Sequence, residues 1–155
     1  AVLLLALLAP PAAAACAGGD MGSACQIGPQ ALELCHTDGA LIYSFGPKGR
    51  PELTIAEPLE TVDFTPWPGI GRYIWETVAF RNAGFTYQIH TSVERGPDAT
   101  TGLVADLTVF DGDAEIALLT CDKDTATNSL DRVYDLKAEI GQCWDMESRS
   151  WGLCN

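Results

Sequence analysis

Hydrophobic and polar positions alternate in short runs along most of the chain after residue 30, which is the pattern of β-strands with one buried face. These runs lie at residues 31–35, 41–45, 52–55, 73–80, 85–90, 103–110 and 115–121. Asp111-Gly112 lies between the last two runs, and this dipeptide is a strong signal for a hairpin turn. The pattern predicts a mainly β domain of about seven antiparallel strands, as either a small barrel or a rolled meander.

Two segments between these runs are predicted to be irregular. Residues 81–84 connect two strands, and Asn82 and Gly84 are expected to adopt the positive φ that a tight turn needs. Residues 61–71 contain two prolines and two glycines and are predicted to form a loop.

The C-terminal part follows a helical rather than a strand pattern. Apolar residues recur at helical spacing between Leu130 and Ile140, after Asn128 as a candidate cap and before Gly141 as a stop signal. We predict one helix over residues 129–140. A disulfide-closed loop that contains two tryptophans follows it, so that residues 123–155 extend the β domain of residues 30–122.

The first 17 residues have the composition of a secretory signal. Residues 1–9 are all apolar, prolines and alanines follow, and no charge precedes Asp20. The run is shorter than the roughly 20 apolar residues of a membrane-spanning helix. Residues 13–15 and 15–17 both fit a cleavage site, and the alanines before Cys16 also resemble a lipobox, in which Cys16 would carry a lipid anchor to the outer membrane. The Gly-rich residues 18–29 are predicted to be a flexible tether.

Export makes the cysteines candidates for disulfide bonds. The six are Cys16, Cys25, Cys35, Cys121, Cys143 and Cys154, and they allow 15 connectivities. Cys143 and Cys154 bracket a short loop and are the easiest pair to join; we also predict a Cys16–Cys25 bond. If Cys16 were removed or lipidated, one thiol would be left over, which favours a mature chain that retains it. The expected location is the periplasm or the secreted fraction.

The net charge of −12 restricts the partners. An acidic surface repels phosphate backbones, so nucleic acid is excluded as an expected partner. The same field attracts a cationic protein, while the alternative is that the acidity serves only solubility.

No motif indicates catalysis, a metal or a cofactor. His36 and His90 are the only histidines and neither lies in a catalytic motif, and no serine has the Gly-x-Ser-x-Gly context. The cysteines lack zinc-ligand spacing. Asp122 and Asp124 begin like a calcium loop, but the required glycine and final glutamate are missing. We therefore predict a binding protein without catalytic residues.

The loop that contains Trp67 is the candidate binding surface. Trp67 lies between Pro66 and Pro68, which stiffen it and reduce the entropy lost on binding. Tryptophan and arginine are the residue types that most often anchor protein interfaces, and Arg72 follows closely. The alternative is that Trp67 covers one end of the barrel.

Several of these features together resemble the membrane-bound inhibitors of c-type lysozyme. The resemblance covers residues 35–121: Cys35 in the first strand, Tyr43-Ser44-Phe45-Gly46, a Gly-rich loop that ends in Arg72-Tyr73, and Cys121 after the last strand. The chain also resembles a broad set of exported bacterial proteins of unknown activity that share the Tyr-x-Phe-Gly and Pro-Glu-Leu motifs.

The resemblance to the lysozyme inhibitors implies an antiparallel barrel, a Cys35–Cys121 bridge, and insertion of the Gly-rich loop into the lysozyme cleft. The family's loop serine is missing here, and Arg81 is the cation nearest to the family's hairpin lysine. The expected function is a protein-binding module that inhibits lysozyme, and the alternative is an envelope structural or ligand-binding protein. The predicted partner-binding residues are Trp67, Gly69, Gly71, Arg72, Tyr73 and Arg81.

Overall fold

The computed structural model describes residues 22–155, which fold into antiparallel β-sheets with one helix. The predicted mainly β fold class is confirmed. The described strands are β1 (Ser23–Ile27), β2 (Gln30–Thr37), β3 (Ala40–Pro47), β4 (Leu53–Pro58), β5 (Asp63–Thr65), β6 (Tyr73–Asn82), β7 (Phe85–Glu94), β8 (Val104–Asp111), β9 (Ala114–Thr120), β10 (Gln142–Asp145) and β11 (Ser150–Leu153), and the helix is α1 (Asp131–Glu139).

The strands form two meanders rather than one. Strands β1 to β4 pair in sequence order as one sheet, β5 to β9 pair in sequence order as a second, and β10 pairs with β11. Each of the seven predicted runs corresponds to a strand, namely β2 to β4 and β6 to β9. The sequence analysis missed β1, β5, β10 and β11 because they are short or lack a clear alternation.

Residues 23–27, predicted to be part of a flexible tether, are a strand. Gly28-Pro29 makes the two-residue turn between β1 and β2, with Gly28 at a φ of 57° as a glycine-first hairpin turn requires. On its other side, β1 is held by two backbone hydrogen bonds between Ala24 and Thr127 of 3.3 and 2.8 Å. These partners come from distant sequence, so local composition could not reveal the strand.

The disulfide pattern corrects two predictions and confirms one. Cys143 is joined to Cys154 as predicted, whereas Cys25 is joined to Cys121. The predicted Cys35–Cys121 and Cys16–Cys25 bonds are therefore wrong.

Strand geometry explains why Cys35 does not reach Cys121. Successive side chains of a strand point to opposite faces, so Cys35 lies on the opposite face of β2 from the core residue Leu34. Cys25, paired in register with Leu32, lies on the core face. Cys35 is itself disulfide-bonded, with a partner other than these four cysteines. Cys16, its predicted lipidation and the predicted cleavage sites lie outside the described residues.

The core contains side chains from both meanders and from the helix. Tyr43 of β3 packs its ring against Phe80 of β6 and Tyr87 of β7, with ring centroids 5.4 and 5.6 Å apart. Val133 and Leu136 of α1 are buried in the same cluster. The two meanders and the helix therefore share one hydrophobic core, as expected for a single domain.

The predicted helix over residues 129–140 is confirmed as α1, which begins two residues later and ends one residue earlier than predicted. The Asn128 side chain accepts a hydrogen bond of 2.9 Å from the Leu130 amide just before the helix, and Gly141 follows it at a φ of 86°. Within residues 22–155, no helix is long and apolar enough to cross a membrane.

The turn between β6 and β7 differs from the prediction in one residue. Ala83 and Gly84 are its central residues and both have positive φ, 51° and 83°, while Asn82 belongs to the strand. This is the pattern of a type I′ hairpin turn, which normally favours Asn or Gly where Ala83 lies.

Glu76 of β6 gives the fold an expected pH dependence. Burial, and secondarily the nearby Asp131 carboxylate, raise the pKa of Glu76 to about 7. The folded state therefore holds a proton that the unfolded chain releases near its ordinary pKa, and stability should fall as pH rises from about 4.5 to about 7. We expect Glu76→Gln to melt at a higher temperature than the parent at pH 8 and at a similar temperature at pH 4.5.

Thermal unfolding across this pH range tests the expectation. Glu115→Gln, which removes an exposed carboxylate from β9, controls for the loss of one negative charge. A Glu76→Gln curve parallel to the parent's at all pH values would show that Glu76 does not hold the proton.

Candidate functional site

The predicted partner-binding residues lie at the two ends of strand β6. Tyr73 begins the strand and Arg81 lies near its end, eight residues away, which is roughly 26 Å at the usual rise of a strand. Arg81 therefore lies well apart from the loop of residues 67–73. We call residues 66–74 the Trp67 loop.

Trp67 stabilises the conformation of its own loop. Its indole nitrogen donates a hydrogen bond of 3.0 Å to the Ile70 carbonyl, and the guanidinium of Arg95 lies 4.7 Å above the centre of its ring. Arg95 also donates a hydrogen bond of 2.9 Å to the Gly71 carbonyl. Trp67 is only partly exposed, because both its ring face and its N–H group are engaged inside the loop.

Glu94 fastens the loop to the neighbouring segment. Its side chain is 2 % exposed and forms an ion pair with Arg72, whose Nε lies 2.7 Å from one carboxylate oxygen. The other oxygen accepts hydrogen bonds of 2.9 and 3.0 Å from the amides of Thr100 and Thr101. These amide bonds, followed by the Arg72 bond, lower the pKa of Glu94 to about 2. Arg72 is thus held in place by an ionised carboxylate.

Besides predicted residues, the Trp67 loop presents two further apolar side chains, Ile70 and Ile74, to solvent. Ile70 is 73 % exposed, Tyr73 is 41 % exposed and Ile74 is 39 % exposed. Gly69 and Gly71, at φ of 83° and 98°, flank Ile70 and allow the backbone to turn it outward. Of the predicted residues, Tyr73 and Arg72 remain available for contact, since the Arg72 side chain is 70 % exposed even though it is paired with Glu94, while Trp67 supports the loop.

The sequence analysis missed Ile70, Ile74, Glu94 and Arg95. The pairing of Tyr73 with Glu94 across β6 and β7 explains why Glu94 and Arg95 reach this loop. Their role depends on the register of that hairpin, which the sequence alone did not fix.

A cleft of about 310 Å³ lies at the other end of β6, between β5, the helix and the β10–β11 hairpin. We call it the Trp144 cleft. Its lining is made of aromatic, cationic and acidic side chains, including Glu60, Asp63, Arg81, Lys137, Trp144, Arg149 and Trp151.

Trp151 forms the inner wall of the Trp144 cleft. Its indole nitrogen donates a hydrogen bond of 2.7 Å to the Phe64 carbonyl, and the Lys137 ammonium lies 5.2 Å from its ring centre. The buried Lys137 in turn donates a hydrogen bond of 2.7 Å to the Leu59 carbonyl. Trp144 packs beside Trp151 with ring centroids 5.5 Å apart. The wall is therefore rigid and connected to both the helix and β5.

His90 makes no hydrogen bond to a carboxylate within the described residues. The nearest carboxylate oxygen to His90 belongs to Asp106 and lies 3.9 Å from Nδ1, which is beyond hydrogen-bond distance. The described residues contain no group of three or more metal-ligating side chains. The Asp122 carboxylate accepts a hydrogen bond of 3.0 Å from the Gly28 amide, so it closes a turn.

Comparisons of the chain with protein-family models, with curated proteins and with solved structures found no match. The two surfaces at the ends of β6 are therefore the basis on which a function can be proposed.

Proposed function

We propose that this protein is an exported protein-binding module that binds a cationic protein through the Trp67 loop. The observation that carries the proposal is the exposure of three apolar side chains within five consecutive residues: Ile70 in a loop whose backbone is fixed from inside, and Tyr73 and Ile74 at the start of β6. Exposed apolar side chains on a surface that is otherwise strongly acidic are a common mark of an interaction site.

The loop is held in one conformation before any partner arrives. Four connections support this: the Trp67–Ile70 hydrogen bond, the Arg95–Gly71 hydrogen bond, the Arg95–Trp67 contact and the Arg72–Glu94 ion pair. A loop that is already ordered loses less conformational entropy when it binds, so more of its contact energy appears as affinity.

Charge and resemblance together define the first partner to test. The net charge of −12 would raise the association rate with a cationic protein and would discourage nucleic acid. The Cys35–Cys121 bridge implied by the resemblance to membrane-bound lysozyme inhibitors is absent. The remaining points of resemblance, Tyr43-Ser44-Phe45-Gly46 and the Gly-rich loop before Arg72-Tyr73, point to a c-type lysozyme. On this proposal the protein inhibits by binding and performs no catalysis.

The location fits such a role. The disulfides Cys25–Cys121 and Cys143–Cys154 are consistent with an oxidising, exported location. Within that setting we propose the periplasm or the secreted fraction.

An inhibition assay with a c-type lysozyme at physiological ionic strength tests the proposal. We expect Tyr73→Ala to weaken binding about thirtyfold, equivalent to about 2 kcal/mol, because an interface anchor of this size is lost. Ile70→Ser should weaken it at least about tenfold, since the side chain has no role inside the loop.

The matched control is Leu118→Ser on β9, which removes a similarly exposed apolar side chain, 58 % exposed, at a distant place in the fold. This variant should bind like the parent. If the parent shows no inhibition at micromolar concentration, or if moderate salt abolishes binding equally in all variants, the proposal fails and a structural or ligand-binding role replaces it.

A further inference from the structure

We propose that the Trp144 cleft is a second binding site, independent of the Trp67 loop, for a small ring-containing carboxylate such as an acidic sugar or an aromatic acid. The cleft lies at the opposite end of β6 from the loop, and its volume of about 310 Å³ falls at the lower end of the range for small-molecule sites.

The lining of the cleft favours an anion although the protein as a whole is acidic. Three of the nine lysines and arginines of the chain, Arg81, Lys137 and Arg149, line it together with the carboxylates Glu60 and Asp63. The other large clefts have more carboxylates than cations: one is lined by Asp122, Lys123 and Asp124, and the other by Asp145. Cations gathered in one concave place focus the local potential on an anionic ligand.

Two donors of the cleft have no partner within the described residues. Arg81 is paired with Asp63 at 2.9 Å and Lys137 is hydrogen-bonded, but neither the Arg149 guanidinium nor the Trp144 indole N–H makes a hydrogen bond or ion pair there. Arg149 is exposed and Trp144 is partly exposed, so water can accept from both groups in the free protein. Both groups only donate, so a ligand that replaces this water would supply acceptors. A carboxylate supplies two oxygens that a guanidinium can bind together.

The backbone conformation of Arg149 supports the assignment of the cleft as a site. Its φ is 55°, a conformation that glycine or asparagine adopts with far less strain than arginine. Strained residues of this kind occur at binding sites and persist where the surrounding structure fixes them. Because Asp38, Ala83 and Asp124 also have positive φ, the strain at Arg149 supports a site only together with the lining of the cleft.

The aromatic wall provides the selectivity for a ring. Trp144 and Trp151 lie side by side, and Trp151 is fixed by its hydrogen bond to Phe64. A flat ring placed against Trp144 would bury apolar surface while its carboxylate reaches Arg149. A ligand that has only the charge or only the ring would satisfy half of the site.

Calorimetric titration of the mature protein with benzoate and with glucuronate tests the inference and separates the aromatic from the sugar ligand. We expect at least one of them to bind saturably, with acetate and glucose at least about tenfold weaker. Arg149→Asn and Trp144→Phe should each weaken that binding at least about tenfold. Arg149→Asn should melt at or above the parent's temperature because asparagine tolerates positive φ.

Two matched variants control for the loss of a positive charge and for the relief of backbone strain. Arg50→Asn removes an exposed arginine elsewhere, and Ala83→Asn relieves a similar positive φ, 51°, at another hairpin turn. Both should bind like the parent. The inference is overturned if neither benzoate nor glucuronate binds, if acetate or glucose binds as tightly, or if Arg149→Asn binds like the parent. None of these outcomes affects the lysozyme assay.

Discussion

Replacing both Cys25 and Cys121 by alanine is expected to lower the free energy of unfolding by about 4 kcal/mol or more, which would leave little stability at body temperature. The two cysteines are 96 residues apart, so their bond restricts nearly the whole unfolded chain. The bond also joins β1 to the end of β9 and therefore connects the two meanders. Its loss should release β1 together with the segment that pairs with it.

Chemical denaturation of the parent and of the variant lacking Cys25 and Cys121 measures the loss in free energy of unfolding. The control is the pair Cys143→Ala and Cys154→Ala, whose bond spans only 11 residues and should contribute less, about 2 to 3 kcal/mol. Non-reducing peptide mapping of the parent should recover Cys25 joined to Cys121, and Cys35 joined to none of the other four described cysteines. A Cys35–Cys121 peptide would contradict the described fold.

Gly46→Ala is expected to destabilise the fold by about 3 kcal/mol or more. Gly46 has a φ of 151°, and a Cβ there would collide with the backbone nitrogen of Glu52 and lie 2.9 Å from the Cα of Pro51. Relieving the collision requires movement of the segment whose Glu52 amide donates a hydrogen bond of 2.9 Å to the Phe45 carbonyl. The end of β3 and the loop to β4 should therefore loosen together.

Gly152→Ala provides the matched control, since a Cβ at that strand position meets nothing within 4 Å. Its unfolding free energy should stay within about 0.5 kcal/mol of the parent's. Equal effects of the two substitutions would show that the approach of residues 51–52 to Gly46 is not a constraint.

The sequence predicted strands in which hydrophobic and polar residues alternate, and turns that contain residues typical of a turn. Strands β6 and β7 were visible in this way, as was the hairpin at Asp111-Gly112, although its two turn residues are Gly112 and Asp113 because Asp111 ends β8. It could not predict β1, because the strand depends on Thr127 and on Cys121, about a hundred residues away. The wrong Cys35 pairing had a similar cause, since the face on which a cysteine lies depends on strand register.

For the candidate sites, too, the sequence did not reveal contacts between side chains that are distant along the chain. The sequence identified the Trp67 loop as unusual, but it did not reveal that Arg95 and Glu94 hold Trp67 and Arg72 in place. It also grouped Arg81 with that loop, although Arg81 lines the Trp144 cleft. Neither arrangement could be predicted, because the partners of these side chains lie on segments brought together only by the sheet.

Hydrogen–deuterium exchange of the mature protein, with and without a c-type lysozyme, tests the proposed function most directly. If the Trp67 loop is the binding surface, lysozyme slows exchange at the backbone amides of residues 69–74, while the amides around Trp144 and Arg149 exchange as in the free protein. Unchanged exchange at residues 69–74 in the presence of saturating lysozyme, or protection that appears only elsewhere, would contradict the Trp67 loop as the binding surface.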